Sequence, residues 1–188
     1  KISIAHETLR SAQEVSIANF LYLNNIDYRY EKPYQFNFNK AHKPYTPDFT
    51  LKQGDKIAYL EHFGITEDGH NNRYTAEQLK KYKAAINDKV SLHRKHKTDL
   101  IYTFSSYNDG RPMLEHLKEQ LIAHGFVLNQ RSSQEVFEKI VNTEENKYIL
   151  KLVKLICTFI QNFKTNGYTI EKFYEWESQT TNERTRLF

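Results

Sequence analysis

The sequence is short of the residues that staple or punctuate a chain. One cysteine, Cys157, among 188 residues excludes a disulfide framework and any multi-cysteine zinc site, and it suits a reducing, cytoplasmic compartment. Six glycines and four prolines beside 13 Tyr and 12 Phe exclude collagen-like and disordered low-complexity classes. Long apolar runs are missing, because Lys151 and Lys154 interrupt the most apolar helical segment, so no membrane span is expected. The first residues do not have the basic-then-apolar pattern of a secretory signal. There is no Walker A run, no dinucleotide-binding glycine pattern, no zinc-protease histidine spacing and no Gly-x-Ser-x-Gly turn, which argues against nucleotide-driven motors and the common hydrolase elbows. The chain starts at Lys1 with Met113 as its only methionine, and it reads as a piece of a longer polypeptide.

What is present is enough for one domain with a small appendage. A chain of this length buries roughly 70% of the surface that its unfolded form exposes. The net charge of +4 permits an anionic partner without establishing one. Ser11 to Asn25 carries helical apolar spacing, with Ser11 and Glu14 forming a capping-box pattern. Tyr28 to Glu31 is a short strand. Lys32 to Tyr45, with Lys40 and Lys43, is an aromatic, basic strand or ordered loop. Asp48 to Leu51 and Ile57 to Phe63 form a hairpin around Gln53-Gly54-Asp55. Tyr74 to His96 is one long helix or two, Asp99 to Phe104 a strand, and Leu114 to Ala123 a helix stopped by Gly125. Phe126 to Leu128 is expected as a last edge strand. The order indicates an α/β or α+β sheet covered by helices.

Beyond Arg131 the pattern is helical. Val136 to Val141 is one segment, and Ile149, Leu152, Val153, Ile156, Ile160 and Phe163 form a stripe with Cys157 inside it as a small core residue. Gly167 breaks that helix before Ile170 to Trp176. The expected organisation is a sheet domain over residues 1–130 and a helical connector or appendage over 131–188.

Asp48 and Glu61 are the acids that stand out inside the two apolar hairpin strands. Two carboxylates meeting across a strand pair make a hard, oxygen-rich site suited to Mg²⁺ or Mn²⁺, which would polarise a phosphate and acidify a water. The competing reading is a pair of strand-end acids facing solvent. His62 follows Glu61, so its side chain points to the opposite sheet face. That leaves its backbone carbonyl as the ligand candidate and its imidazole as a structural group. Lys80 to Lys97 holds Lys80, Lys81, Lys83, Lys89, Arg94, Lys95 and Lys97 against one acid, Asp88. Such a helix is either a solvated face or a surface that neutralises phosphates. Lys80, Lys81, Lys83, His93, Arg94 and Lys95 are its nucleic-acid-binding candidates. Tyr34, Phe36 and Phe38 are candidates for base stacking or for core.

Several runs of residues carry a family resemblance. Glu14 in a leading helix, Pro47-Asp48 on a strand and Glu61 on the next resemble the PD-(D/E)xK nuclease superfamily. The runs Ser11-Ala12-Gln13-Glu14, Tyr28-Arg29-Tyr30-Glu31, Tyr45-Thr46-Pro47-Asp48-Phe49 and Tyr59-Leu60-Glu61-His62-Phe63-Gly64-Ile65 are similar to the nuclease-like domain within bacterial DNA helicases of the UvrD/Rep type, of the helicase IV kind. Phe159 to Asn166 resembles the run that follows that domain and leads back to the motor.

The resemblance implies a restriction-endonuclease-like mixed sheet flanked by helices, DNA and the motor domains of the parent helicase as partners, and Mg²⁺- or Mn²⁺-dependent phosphodiester hydrolysis. Phe63 stands where the superfamily carries its lysine. The resemblance supplies Lys89 instead, with His93 four residues on. The implied site is Asp48, Glu61 and the His62 carbonyl on the metal, Glu14 as an outer or additional ligand, and Lys89 as the basic group. The other implied outcome is a module that grips DNA and has lost cleavage.

Overall fold

A computed structural model of the chain describes residues 1–38, 44–141 and 147–179; Lys40 and Lys43 lie outside them. Among the described residues the fold is mixed α/β, with a four-stranded sheet and six helices. The order is α1 (Ala12–Leu23), β1 (Asp27–Tyr30), β2 (Phe49–Gln53), β3 (Lys56–Thr66), α2 (Ala76–Lys95), β4 (Leu100–Ser106), α3 (Met113–Ala123), α4 (Ser133–Val141), α5 (Lys147–Thr165) and α6 (Ile170–Gln179). The strands lie side by side in chain order. β1, β2 and β3 pair antiparallel, and β4 joins β3 in parallel, as a strand must when a helix of α2's length carries the chain back.

Local chemistry sets the boundaries. The Ser11 hydroxyl accepts the Glu14 N–H at 3.0 Å and opens α1. α2 starts on a full capping box: Gln78 N–H donates to Thr75 Oγ1 at 3.3 Å and Thr75 N–H to Gln78 Oε1 at 2.8 Å. Gly54, with φ of 60°, opens the two-residue turn between Gln53 and Lys56, where a type II′ hairpin requires positive φ. After α3, Gly125 (φ 77°) lets its own N–H reach Ile122 and the Phe126 N–H reach Leu121, at 2.8 and 2.9 Å.

The hairpin residues alternate between two faces. One face carries Phe49, Leu51, Ala58, Leu60 and Ile101 into a core closed by Ile17, Ala18 and Leu21 of α1 and Leu117 and Leu121 of α3. The other carries Tyr59, Glu61 and Phe63 toward α2. There a second cluster gathers Tyr34, Tyr45 and Leu92, with Phe36 and Phe38 against it. Tyr34 is buried and Phe36 stacks on His96.

The expected edge strand at Phe126 to Leu128 does not form. Gln53 takes its place: the side-chain amide donates to the Val127 carbonyl and accepts the Val127 N–H, both at 2.8 Å. A side chain thus satisfies the backbone groups that a strand partner would have taken.

Tertiary contacts divide the chain into two compact units, Lys1–Ile140 and Val141–Phe188. Most of α4 therefore belongs with the sheet, and His6 Nε2 donates to the Lys139 carbonyl at 2.6 Å. In the second unit Gly167 (φ 66°) separates α5 from α6. Phe159 and Phe163 meet Phe173, and Tyr168 meets Trp176. Cys157 is exposed on α5 rather than buried, because a pair of helices has little interior to offer. No described helix is long and apolar enough to cross a membrane.

Candidate active site

The site is built on strand register. Phe49 pairs with Leu60, so one step outward Asp48 stands opposite Glu61, on the α2 face of the sheet. Glu31 N–H donates to the Asp48 carbonyl at 2.9 Å, which prolongs the ladder and fixes the Asp48 backbone. The Asp48 carboxylate accepts the His62 N–H at 2.6 Å.

Glu61 is 1% exposed and both of its oxygens are engaged. Lys89 Nζ lies 2.6 Å from Oε2, and the Tyr45 hydroxyl donates to Oε1 at 2.5 Å. Burial pushes the Asp48 carboxyl up to about 7, and the neighbouring Glu61 charge adds to the rise. The His62 N–H and the Lys89 charge pull the other way and do not win.

Lys89 reaches Glu61 because of helical phase. Tyr82, Lys89 and His93 share the inward face of α2, one or two turns apart. The Lys89 ammonium sits over the rings of Tyr45 and Phe63, 5.6 and 5.9 Å from their centroids. Phe63 therefore fills the position after Glu61 on the same face and presents a ring to the helix-borne cation. Lys89 lies close to one acid by contact and acts on the other by charge.

Glu14 and the His62 ring line a neighbouring cleft, and the Glu14 charge adds to the rise that burial and Glu61 cause at Asp48. Glu14 accepts from the Tyr30 hydroxyl at 2.7 Å and from the Arg10 N–H at 3.1 Å. Burial alone would raise its carboxyl; these bonds and those from Ser11 outweigh it and leave it below the usual range. The His62 ring contacts Thr103 Oγ1 at 2.9 Å and Gln13 Oε1 at 3.1 Å on the α1 face, and burial lowers its basicity. Glu14, His62, Arg73 and Tyr82 line an open cleft of about 640 Å³. Tyr82 bridges the two regions: its hydroxyl accepts the Gly64 N–H at 3.0 Å, and the Asp48 and Glu61 charges both raise its pKa after burial has done so.

The basic residues of α2 separate by face. Lys80, Lys81, Lys83, Arg94 and Lys95 are exposed, and Lys81 pairs with Glu77 at 2.7 Å. His93 does not join them. It is 1% exposed, with Nε2 3.1 Å from the Tyr45 hydroxyl and Nδ1 2.8 Å from Thr98 Oγ1. Burial, then the Lys89 charge, hold its pKa down to about 4. The charge count along α2 treats the helix as one basic surface, whereas the 3.6-residue period turns Lys89 and His93 inward and the other cations outward.

Among the described residues no group of three or more His, Cys, Asp and Glu side chains is arranged to hold a metal ion. Asp48 and Glu61 offer two carboxylates, which matches what Mg²⁺ takes from a protein when water and substrate phosphate complete its shell. The raised Asp48 carboxyl is the second point of fit: burial raises it first and the Glu61 charge second, and a cation between the acids would offset both. Tyr45 and Thr98 were not legible as site residues. Tyr45 stands three positions before Asp48, and nothing in that spacing shows that its hydroxyl reaches Glu61. No protein-family model, curated protein or solved structure matches the chain.

Proposed function

We propose that the chain is a restriction-endonuclease-like, PD-(D/E)xK-type domain of a UvrD/Rep-family DNA helicase, and that it hydrolyses DNA phosphodiesters with Mg²⁺ or Mn²⁺. The observation that carries the reading is the Lys89–Glu61 pair at 2.6 Å, with Asp48 in register opposite Glu61. The lysine missing at Phe63 is supplied from α2, a separate element that reaches the same carboxylate. Asp48, Glu61 and the His62 carbonyl would hold the metal, which when bound supplies charge stabilisation at the phosphate and an acidified water. Lys89 pairs with Glu61 and places a positive charge where negative charge develops. Glu14 acts from the neighbouring cleft. The motor domains of the parent chain are the partner in this reading.

A second reading, a DNA-gripping module without cleavage, is favoured by one observation. The exposed cations Lys80, Lys83, Arg94 and Lys95 lie on the face of α2 turned away from Lys89. A strand bound there is separated from Glu61 by the width of a helix, about 10 Å. The experiment that separates the readings is incubation of a labelled oligonucleotide with Mg²⁺ or Mn²⁺, using wild type and Asp48→Asn. Cleavage by the wild type alone supports the nuclease; salt-sensitive binding by both without cleavage supports the gripping module.

A further inference from the structure

Glu61 ends a chain of hydrogen bonds that starts part-buried at Tyr34 and is fully buried from His93 to Glu61. The Tyr34 hydroxyl contacts Thr98 Oγ1, Thr98 Oγ1 lies 2.8 Å from His93 Nδ1, His93 Nε2 lies 3.1 Å from the Tyr45 hydroxyl, and Tyr45 reaches Glu61 Oε1 at 2.5 Å. Thr98 Oγ1 also lies 3.4 Å from the His93 carbonyl, a longer and weaker alternative for its proton.

Donor and acceptor capacities allow one direction along this chain. The Lys89 ammonium takes Glu61 Oε2 at 2.6 Å and the Tyr45 hydroxyl donates to Oε1, so the carboxylate accepts at both oxygens. Tyr45 must then spend its single proton on Glu61. His93 Nε2 must carry a hydrogen and donate to Tyr45, because two acceptors at 3.1 Å would repel. The imidazole is neutral, since burial holds its pKa down to about 4, so Nδ1 is bare and accepts from Thr98. Thr98 has then used its proton, and Tyr34 donates to it. The reverse direction would leave the Tyr45 oxygen facing the carboxylate without a hydrogen.

We infer that Tyr45, oriented by His93 in its Nε2–H form, is a positioning residue that holds Glu61 in the rotamer facing Asp48. Lys89 fixes one oxygen of Glu61 and Tyr45 the other, so the buried carboxylate cannot rotate without breaking a bond. His93 prevents the hydroxyl from turning away, because Nε2 already carries a hydrogen and has no lone pair to accept another. The inference rests on the proposed cation site in one respect: the purpose of a fixed Glu61 is to receive a divalent ion beside Asp48. Outer-shell partners of this kind contribute about 10–100-fold in metal affinity.

Two measurements on the full chain test it. ¹⁵N NMR of labelled protein at neutral pH, with His93→Gln to assign the ring, should show a pyrrole-type Nε2 and a pyridine-type Nδ1. The opposite tautomer overturns the inference, whatever the metal data. Calorimetric titration with MnCl₂ should show binding weakened roughly tenfold in Tyr45→Phe, measured below the variant's unfolding temperature, which falls because Glu61 Oε1 and His93 Nε2–H lose their partner. Unchanged Mn²⁺ affinity in that variant makes Tyr45 a packing residue and overturns the inference while leaving the proposed function standing. Should Tyr45→Phe not fold, Thr98→Val decides: it removes the donor to Nδ1, and affinity should fall several-fold as the tautomer mixes. An unaltered affinity there is contrary to the inference. Absence of Mn²⁺ binding by the wild type overturns the cation site itself, and the positioning role with it.

Discussion

The energetic weight of the site rests on Glu61, a carboxylate at 1% exposure that, among the described residues, Lys89 and Tyr45 keep from being an unpaired buried charge. Removing one partner of such a pair costs more than the pair is worth. Lys89→Met should therefore destabilise the fold by about 2–3 kcal/mol, less than a fully buried pair because the ammonium is partly in solvent. The double change Lys89→Met with Glu61→Leu should recover most of that loss, and urea unfolding of the three proteins measures it.

A second residue-scale expectation concerns pH, because two groups act with opposite sign. His93 has its folded-state pKa depressed from 6.5 to about 4, so its contribution is intact above 6.5 and is lost as pH falls toward 4. Asp48 has its pKa raised from 3.8 to about 7, so its contribution is intact below 3.8 and is lost as pH rises toward 7. Each amounts to about 3–4 kcal/mol at most, and in the shared window they offset. The wild type should show a nearly flat stability profile between these limits. Asp48→Asn should expose a rise with pH, and His93→Gln a fall. Parallel profiles in the two variants would contradict the assignment.

At the scale of elements, the sequence shows most where the chemistry is local. The hairpin carrying Asp48 and Glu61 is visible because Gly54 permits the turn and the strands alternate. α1 is visible because Ser11 and Glu14 mark its start. Phe126 to Leu128 has the composition of an edge strand, but its partner is the Gln53 side chain, a long-range choice that no local pattern encodes. Gln53→Ala should cost about 1–2 kcal/mol and speed hydrogen exchange at the Val127 amide.

α2 shows the same limit in another form. Its charge is legible, and its division into an inner face with Lys89 and His93 and an outer face with Lys80, Lys83 and Arg94 depends on what packs against it. Reversing the charge of Lys80, Lys83 and Arg94 together should weaken oligonucleotide binding. It should also flatten the salt dependence by about 0.7–0.9 per lost phosphate contact. The Lys89–Glu61 pair should be untouched, as an unchanged unfolding midpoint would report.

For the molecule as a whole, the sheet with its flanking helices lies in Lys1–Ile140 and the α5–α6 pair in Val141–Phe188. Every residue proposed for chemistry belongs to the first unit. The change of character near Arg131 was readable from the helical pattern. The attachment of α4 to the sheet unit was not, because it depends on contacts such as His6 with Lys139. The central claim is that Asp48, Glu61 and Lys89 together cleave DNA when a divalent ion is supplied. The most direct measurement follows cleavage and binding of one labelled oligonucleotide in the same samples, with Mn²⁺ or with chelator, for wild type, Asp48→Asn and Lys89→Met. The account predicts Mn²⁺-dependent cleavage by the wild type, at least a hundredfold loss in either variant (about 2.7 kcal/mol of barrier), and binding retained by Asp48→Asn. Salt-sensitive binding by all three with no cleavage at any Mn²⁺ concentration would contradict it.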